Sequence, residues 1–163
     1  MNDRMSTLSI EQRLELASFY EDYAETVDVL DLVAWTHYFT EDALYRVIAR
    51  ESYAQNLDHA TIYCDGMAML KDRATMIDRV AIFEPRTIRH FISGLKVRDA
   101  TDGVIKATAN FLVIESIFDG EPQILMVGQY VDEIVRVGGE LKFRKRDAVY
   151  DQYRIRTTLV FPV

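Results

Sequence analysis

The sequence predicts an α+β fold in which N-terminal helices pack on the concave face of a strongly curved antiparallel sheet that forms a cone. Apolar residues recur mainly at helical spacing in the first half of the chain, and from Thr87 onward they alternate with a period of two. The alternating runs are joined by short turns, which favours antiparallel pairing of successive strands. Several runs exceed the usual strand length, and such long strands are typical of a strongly coiled sheet.

The first predicted element is an amphipathic helix. Ser9 followed by Gln12 matches a capping box at its start. Apolar and aromatic side chains then recur every three or four residues along one face, at Leu16, Tyr20, Tyr23, Val27 and Leu30.

Shorter elements are predicted next. Residues 32–39 form a short helix, and residues 43–50 form the first strand. Residues 51–56 are a loop, and the apolar run "ATIYC" at 60–64 is a second short strand. The short helix places three large side chains on one side, Leu32, Trp35 and Phe39.

A third helix is predicted over residues 67–83, between Gly66 and Pro85, because glycine and proline commonly flank helices. Its apolar stripe is assigned to Met69, Met76, Val80 and Phe83.

Four long strands complete the fold, and they are predicted over residues 87–97, 103–118, 123–137 and 141–150. The connections "DATDG", "DGEP" and "GG" contain residues that suit tight turns, so the strands form a meander. We find no internal repeat, low-complexity tract or linker, and residues 1–163 are therefore expected to form a single cone-like domain.

Two features inside these strands have specific interpretations. Gly94 and Gly128 interrupt strand patterns and are predicted to mark bends or bulges. The basic segment "KFRKR" at 142–146 is interpreted as the solvated or partner-facing side of the last strand.

The composition excludes several classes of protein. The 163 residues are 49% apolar and 28% charged, with a formal charge of −7, as in ordinary soluble globular proteins. No long basic face is present, so nucleic acid is not an expected partner. There is no apolar run long enough for a membrane helix and no secretory signal, so no membrane partner is expected. A single cysteine, Cys64, suits a reducing cytoplasm, and the predicted location is cytoplasmic.

The cysteine and histidine counts argue against a metal or redox centre. A Rieske cluster needs two cysteines and two histidines, but Cys64 is alone. A mononuclear iron site needs two histidines and a carboxylate, and no short motif links His37, His59 and His90. No metal site and no cofactor are therefore predicted in this chain.

His90 has two interpretations. With Asp42 or Asp28 as a carboxylate partner, it could act as general base in a cone-shaped cavity and remove a proton next to a carbonyl group, as dehydratases and isomerases do. Alternatively, it forms hydrogen bonds on a polar strand face or at a subunit contact.

Other residues suggest an interface. Four arginines lie near the end of the third helix and the start of the first long strand, where they form either a protein–protein contact or a surface salt-bridge network. The apolar ending "LVFPV" is buried either in its own sheet or against another subunit. The interface candidates are Arg73, Arg79, Arg86, Arg89, His90 and Phe161.

Four segments in a fixed order carry a resemblance to a known family. They are "DLVAWTHYFTEDALYRV" at 31–47, "LKDRATMIDRV" at 70–80, "IRHFISGLKV" at 88–97 and "FRKRDAVYDQYRIRTTLVFPV" at 143–163. From about Leu14 to Val163 the chain resembles the small (beta) subunit of aromatic-ring-hydroxylating dioxygenases.

The resemblance implies a cone-like fold shared with nuclear transport factor 2, scytalone dehydratase and ketosteroid isomerase. It also implies a mainly structural beta subunit within a trimer of alpha–beta pairs. The large alpha subunit would hold the Rieske [2Fe-2S] cluster and a mononuclear iron. Electrons from NAD(P)H would arrive through a reductase, sometimes with a ferredoxin, and molecular oxygen would be added to an aromatic ring.

Three functions follow as hypotheses. The first is a non-redox assembly subunit of such a dioxygenase, acting in the breakdown of aromatic acids or aromatic hydrocarbons. The second is a stand-alone dehydratase or isomerase with His90 as general base. The third is a small-ligand-binding module with the same cavity and no chemistry.

Overall fold

The computed structural model describes residues 8–79, 85–153, 155, 159 and 161–163. In chain order the elements are α1 (Ile10–Asp28), α2 (Leu32–Thr36), β1 (Phe39–Ala49), α3 (Arg50–Ala54), β2 (Ile62–Asp65), α4 (Met67–Arg79), β3 (Arg86–Thr101), β4 (Val104–Ile117), β5 (Gln123–Val137) and β6 (Glu140–Tyr150). None of the helices in these ranges is long and apolar enough to cross a membrane.

The capping box predicted at the start of α1 is present. The backbone N–H of Gln12 donates to the Ser9 hydroxyl at 3.2 Å, and the Gln12 side chain accepts from the Ser9 N–H at 2.9 Å. The helix buries Leu16, Phe19, Tyr20, Tyr23, Ala24 and Val27 against the sheet. The following helix, α2, is shorter than predicted because Phe39 already begins β1.

The apolar stripe predicted for α4 was wrong for its two methionines. Met69 and Met76 lie on the solvent side of the helix. The buried face of α4 is offset by about one residue from the predicted stripe. It consists of apolar residues at spacings of three and four, namely Met67, Leu70, Ala74 and Ile77. Val80 and Phe83 lie outside the described residues.

The six strands form one curved, unclosed sheet in the order β2-β1-β6-β5-β4-β3. The meander predicted for β3 to β6 is confirmed, since each of these strands pairs antiparallel with the next. One pair departs from the antiparallel expectation: β1 lies parallel to β6. A parallel pair requires a long crossover connection, and the whole intervening chain supplies it here.

The two strand glycines differ in role. Gly94 has a φ of +62° beside a register shift between Ser93 and Lys96, so the predicted bulge is confirmed. Gly128 is not at a bulge. A Cβ atom there would lie 2.0 Å from the carbonyl oxygen of Val149, so this glycine instead allows β6 to approach β5 closely.

The end of the chain is buried in its own fold. Phe161 and Val163 are 3% and 1% exposed, and Val160 lies outside the described residues. The Tyr23 hydroxyl donates to the Val163 carbonyl oxygen at 3.0 Å, and the Val163 N–H donates to the Tyr45 hydroxyl at 2.9 Å. These bonds hold the apolar tail among the core side chains.

Candidate functional site

Aromatic side chains fill the interior of the cone. The ring centroid of Phe143 lies 4.6 Å from that of Phe19 and 5.7 Å from that of Phe39. The Trp35 indole N–H donates to the Tyr23 hydroxyl at 3.1 Å. A substrate cavity on the concave face would have to displace these rings, which are packed at distances typical of a protein core.

A fully buried cation lies within this aromatic interior. Arg146 is 0% exposed, so its predicted position on a solvated or partner-facing strand side was wrong. Two neighbouring registers explain the error: Ile134 pairs with Phe143 and Glu133 with Lys145, which leaves Arg144 as the extra residue of a bulge. The bulge reverses the alternation, so Arg146 points to the same side as Phe143.

Four rings surround the Arg146 guanidinium. Its central carbon lies 3.6 Å from the ring centroid of Tyr130, 4.1 Å from that of Tyr23 and 4.2 Å from that of Phe143, and Tyr20 is the fourth ring. The electron-rich ring faces attract the cation at these distances.

Asp132 is the counter-charge of Arg146. Its Oδ2 atom lies 3.7 Å from Arg146 Nη1 and accepts a hydrogen bond from the Tyr20 hydroxyl at 2.5 Å. Burial raises the pKa of Asp132 to about 6, although Arg146 acts in the opposite direction. The same burial raises the pKa of Tyr20 well above its ordinary value.

The raised pKa of Asp132 makes stability depend on pH. The folded state binds this proton more tightly than the unfolded state, so the contribution of the carboxyl group to stability is complete below pH 3.8 and is lost as pH rises through about 6. We expect the unfolding free energy of the wild type, relative to Asp132→Asn, to fall between pH 4 and pH 7. A difference of one between the pKa values of the folded and unfolded states corresponds to about 1.4 kcal/mol. Urea unfolding of both proteins between pH 4 and pH 7 measures the two unfolding free energies. A difference between them that did not change with pH would contradict the prediction.

His90 and Asp28, two of the three residues considered for catalysis, are in direct contact. The imidazole Nδ1 lies 2.6 Å from Asp28 Oδ1, and the backbone N–H of His90 donates to both carboxylate oxygens at 3.0 and 3.1 Å. Because β3 is at the edge of the described sheet, this N–H has no neighbouring strand on its outer side. Asp28 therefore caps the exposed edge of β3 from the end of α1.

This pair is poorly placed for acid–base chemistry. Nε2 is the ring nitrogen of His90 that remains for a substrate, and it is enclosed, with no hydrogen-bond partner in the described part of the chain. Asp42, the third candidate, is exposed and accepts from the Thr40 hydroxyl at 2.8 Å. A general base must reach the proton that it removes, and the enclosed Nε2 of His90 does not offer that reach. Asp42 forms no hydrogen bond with His90 in the described structure, so it does not serve as the carboxylate partner of this histidine.

Replacing Asp28 tests its role as an edge cap. We expect Asp28→Ala to lower the unfolding free energy by about 2–4 kcal/mol, because the buried N–H and ring nitrogen of His90 lose their acceptor. Asp22→Ala, on the exposed face of the same helix, is the matched control and is expected to change it by less than about 0.5 kcal/mol. Urea unfolding measures both, and equal stability of the two variants would refute the cap.

The outer face of β3, β4 and β5 carries apolar side chains in neighbouring registers. Phe91 pairs with Leu112, which in turn pairs with Val127, and Ile114 pairs with Ile124 in the adjacent row. Phe91, Ile124 and Val127 are 53%, 62% and 40% exposed. These five residues form what we call the outer-face patch. The solvent face of an antiparallel sheet is usually polar, so the patch is typical of an interaction surface.

A family model decides the relationship of the chain to known proteins. The model described as "Ring hydroxylating beta subunit" matches residues 22–157, which is most of the chain. The chain belongs to the ring-hydroxylating beta subunit family.

Individual members of the ring-hydroxylating beta subunit family resemble the chain along nearly its full length. The anthranilate 1,2-dioxygenase small subunit of Burkholderia cepacia is 30% identical over 91% of this chain and 92% of its own. The subunit beta 1 of the terephthalate 1,2-dioxygenase terminal oxygenase component from a Comamonas species is 27% identical over 92% of this chain and 97% of its own.

A solved structure of similar sequence has the same fold as this chain. It comes from Novosphingobium aromaticivorans and is ascribed to the beta subunit of an aromatic-ring-hydroxylating dioxygenase. It superimposes with a TM-score of 0.85 at 30% identity, and the match covers 95% of this chain and 100% of that one.

The residues of this beta-subunit family member do not fit the iron centres of a ring-hydroxylating dioxygenase. Cys64 is the single cysteine of the sequence and is buried. Within the described ranges, no group of three or more histidine, cysteine, aspartate or glutamate residues is arranged to hold a metal ion. His37 and His59 are exposed, whereas His90 is bound to Asp28.

Some of the interface candidates are buried or half-buried in this beta-subunit fold, and the others are exposed. Arg86 binds Glu115 at 2.6 Å, and both side chains are largely buried, as are His90 and Phe161. The half-buried Arg73 donates to the Leu159 carbonyl oxygen at 3.5 Å. Arg79 and Arg89 are exposed. Arg89 directly adjoins the outer-face patch, because it pairs with Ile114.

Sequence reasoning missed Arg146 and Asp132. A signal existed for Asp132, since it lies two residues from both Tyr130 and Ile134 and therefore shares their buried face. Arg146 offered no comparable signal, because its inward direction depends on the bulge at Arg144.

Proposed function

We propose that this protein is the non-redox assembly subunit of an aromatic-ring-hydroxylating dioxygenase, in which it supports an iron-containing alpha subunit that adds molecular oxygen to an aromatic ring. The observation that carries the proposal is the outer-face patch, an apolar surface on a chain of the beta-subunit family whose concave face is occupied by aromatic side chains. A subunit that serves assembly needs such a surface, whereas an enzyme of the same fold needs an open cone.

The proposal extends to the composition of the complete enzyme. Residues 1–163 form one domain, and three copies join three alpha subunits in the cytoplasm. The Rieske [2Fe-2S] cluster and the mononuclear iron belong to the alpha subunit, and NAD(P)H supplies electrons through a reductase, with or without a ferredoxin. The lone Cys64 supports the assignment of both iron centres to the partner.

We further propose an aromatic acid as the substrate class of the complete enzyme, with aromatic hydrocarbons as the alternative. The support is that two similar proteins are named as subunits of anthranilate and terephthalate dioxygenases, and both of those compounds are aromatic acids. This chain binds no part of the substrate in the proposal, because aromatic side chains occupy its concave face.

Two exposed arginines also favour an assembly role, one of them beside the outer-face patch. Arg89 is exposed beside the patch and forms no ion pair with the described residues. Arg79 is likewise exposed at the end of α4. Arginine is enriched at protein interfaces because its planar group forms bidentate contacts, so we include both residues among the contacts with other subunits.

Changing the outer-face patch tests the proposal. We expect the double variant Phe91→Ser, Val127→Ser, co-expressed with the alpha subunit, to bind it or other beta subunits at least about tenfold more weakly, because interface anchors of this type contribute 1–2 kcal/mol or more each. Light scattering after size-exclusion chromatography measures the assembly, and iron analysis of the eluted complex identifies the alpha subunit.

Val33→Ser is the matched control. Val33 is 70% exposed on α2, away from the sheet face, and its replacement is expected to leave assembly unchanged. Assembly of the double variant with wild-type affinity would refute the role of the patch. A wild-type chain that bound no iron-containing subunit at all would refute the proposed function itself.

A further inference from the structure

Five polar atoms in the cone interior lack a hydrogen-bond partner within the described part of the chain. They are Nε, Nη1 and Nη2 of Arg146, the hydroxyl of Tyr130 and Oδ1 of Asp132. The side chains of Arg146 and Asp132 are 0% exposed, and Tyr130 is also 0% exposed. Buried polar groups in native proteins almost always have a partner, so this concentration of unpaired atoms requires an explanation.

Neither the neighbouring carboxylate nor the ring faces supply the missing partners. Asp132 is the nearest carboxylate, but its Oδ2 atom lies 3.7 Å from Arg146 Nη1, which is too long for a hydrogen bond. The faces of Tyr130, Tyr23 and Phe143 attract the guanidinium charge but leave the N–H groups in its plane without an oxygen acceptor.

The unpaired atoms define what would fit between them. The Arg146 nitrogens are donors, Asp132 Oδ1 is an acceptor, and the Tyr130 hydroxyl can do either. A ligand must therefore both accept and donate hydrogen bonds. A cation would be repelled by Arg146 and an anion by Asp132, so a small neutral molecule fits the two opposite charges best.

We propose that Arg146, Asp132 and Tyr130 form an internal solvent site that holds at least one ordered water molecule bridging the guanidinium to Asp132 Oδ1. Water makes two to four hydrogen bonds in such sites and satisfies donors and acceptors together. The bridge also accounts for the separation of 3.7 Å between the two charged groups, since a bridged pair does not need direct contact. This site is independent of the proposed assembly role.

Crystal structures of the wild type and of Tyr130→Phe, at a resolution of about 1.5 Å, test the proposal. The phenylalanine variant removes the hydroxyl and leaves the ring. In the wild type we expect an electron-density peak within about 2.7–3.2 Å of both an Arg146 nitrogen and Asp132 Oδ1. In Tyr130→Phe we expect the same peak to be weaker, because the water has lost one partner.

Three outcomes would overturn the inference. One is an ordered Arg146 with no density within hydrogen-bond distance of its nitrogens. Another is direct bidentate contact between Arg146 and Asp132. The third is an anomalous signal at the peak in crystals grown with bromide, which would identify an anion. An unchanged peak in Tyr130→Phe would remove Tyr130 from the site.

Discussion

Replacing Arg146 by methionine is expected to lower the unfolding free energy by about 3–5 kcal/mol. The change keeps most of the side-chain volume but removes the only charge within ion-pair distance of the buried Asp132 carboxylate in the described structure. It also removes the cation that four aromatic rings enclose. Urea or thermal unfolding of the purified variant measures the loss.

A double variant separates lost charge pairing from lost packing. In Arg146→Met, Asp132→Asn both charges are gone, while the asparagine oxygen still accepts from the Tyr20 hydroxyl. We expect this protein to be more stable than Arg146→Met alone, because the uncompensated buried charge has been removed. If the two single changes simply added, the ion pair would have no role in stability.

Replacing Gly128 by alanine is expected to be at least as damaging, with a loss of about 3 kcal/mol or more. The new methyl group would meet backbone atoms of β6, 2.0 Å from the Val149 oxygen and 2.8 Å from the Tyr150 Cα atom. Backbone atoms cannot rotate away, so β5 and β6 must separate and break ladder hydrogen bonds. The yield of folded protein and the unfolding midpoint measure the effect.

Gly120→Ala is the matched control for this prediction. Gly120 lies in the turn before β5, and a methyl group there would have its nearest contact at 3.4 Å, from the Ile117 oxygen. We expect a change of less than about 1 kcal/mol. Equal stability of Gly128→Ala and Gly120→Ala would contradict the prediction, because it would show that the backbone of β6 can move away from a methyl group at residue 128.

Local signals account for the parts of the fold that could be predicted. The capping box at Ser9, the helical face around Tyr20 and the turns between β3 and β6 all depend on residues close in sequence. The parallel pairing of β1 with β6 has no such signal, because it joins segments about 100 residues apart, as in the contact of Arg46 with Asp147.

The candidate site was less predictable than the fold for a physical reason. Strict alternation would place Arg146 outside, and a single extra residue at Arg144 places it inside. For His90 the sequence left two interpretations open, and Asp28 was one of two carboxylates considered as its partner; the structure places His90 and Asp28 in contact. Which way its free nitrogen faces depends on packing between α1 and β3, which sequence spacing does not determine.

The parallel pairing of β1 with β6 also has a consequence for biosynthesis. While the chain emerges from the ribosome, β1 and β2 can pair with each other but not with the meander, because β6, which joins them to it, is made after β3, β4 and β5. Until then the aromatic side of β1, including Phe39 and Tyr45, lacks the Phe143 side of the core. Long-range pairing of this kind is slow, so the apolar side of β1 completes its packing only after β6 has been made.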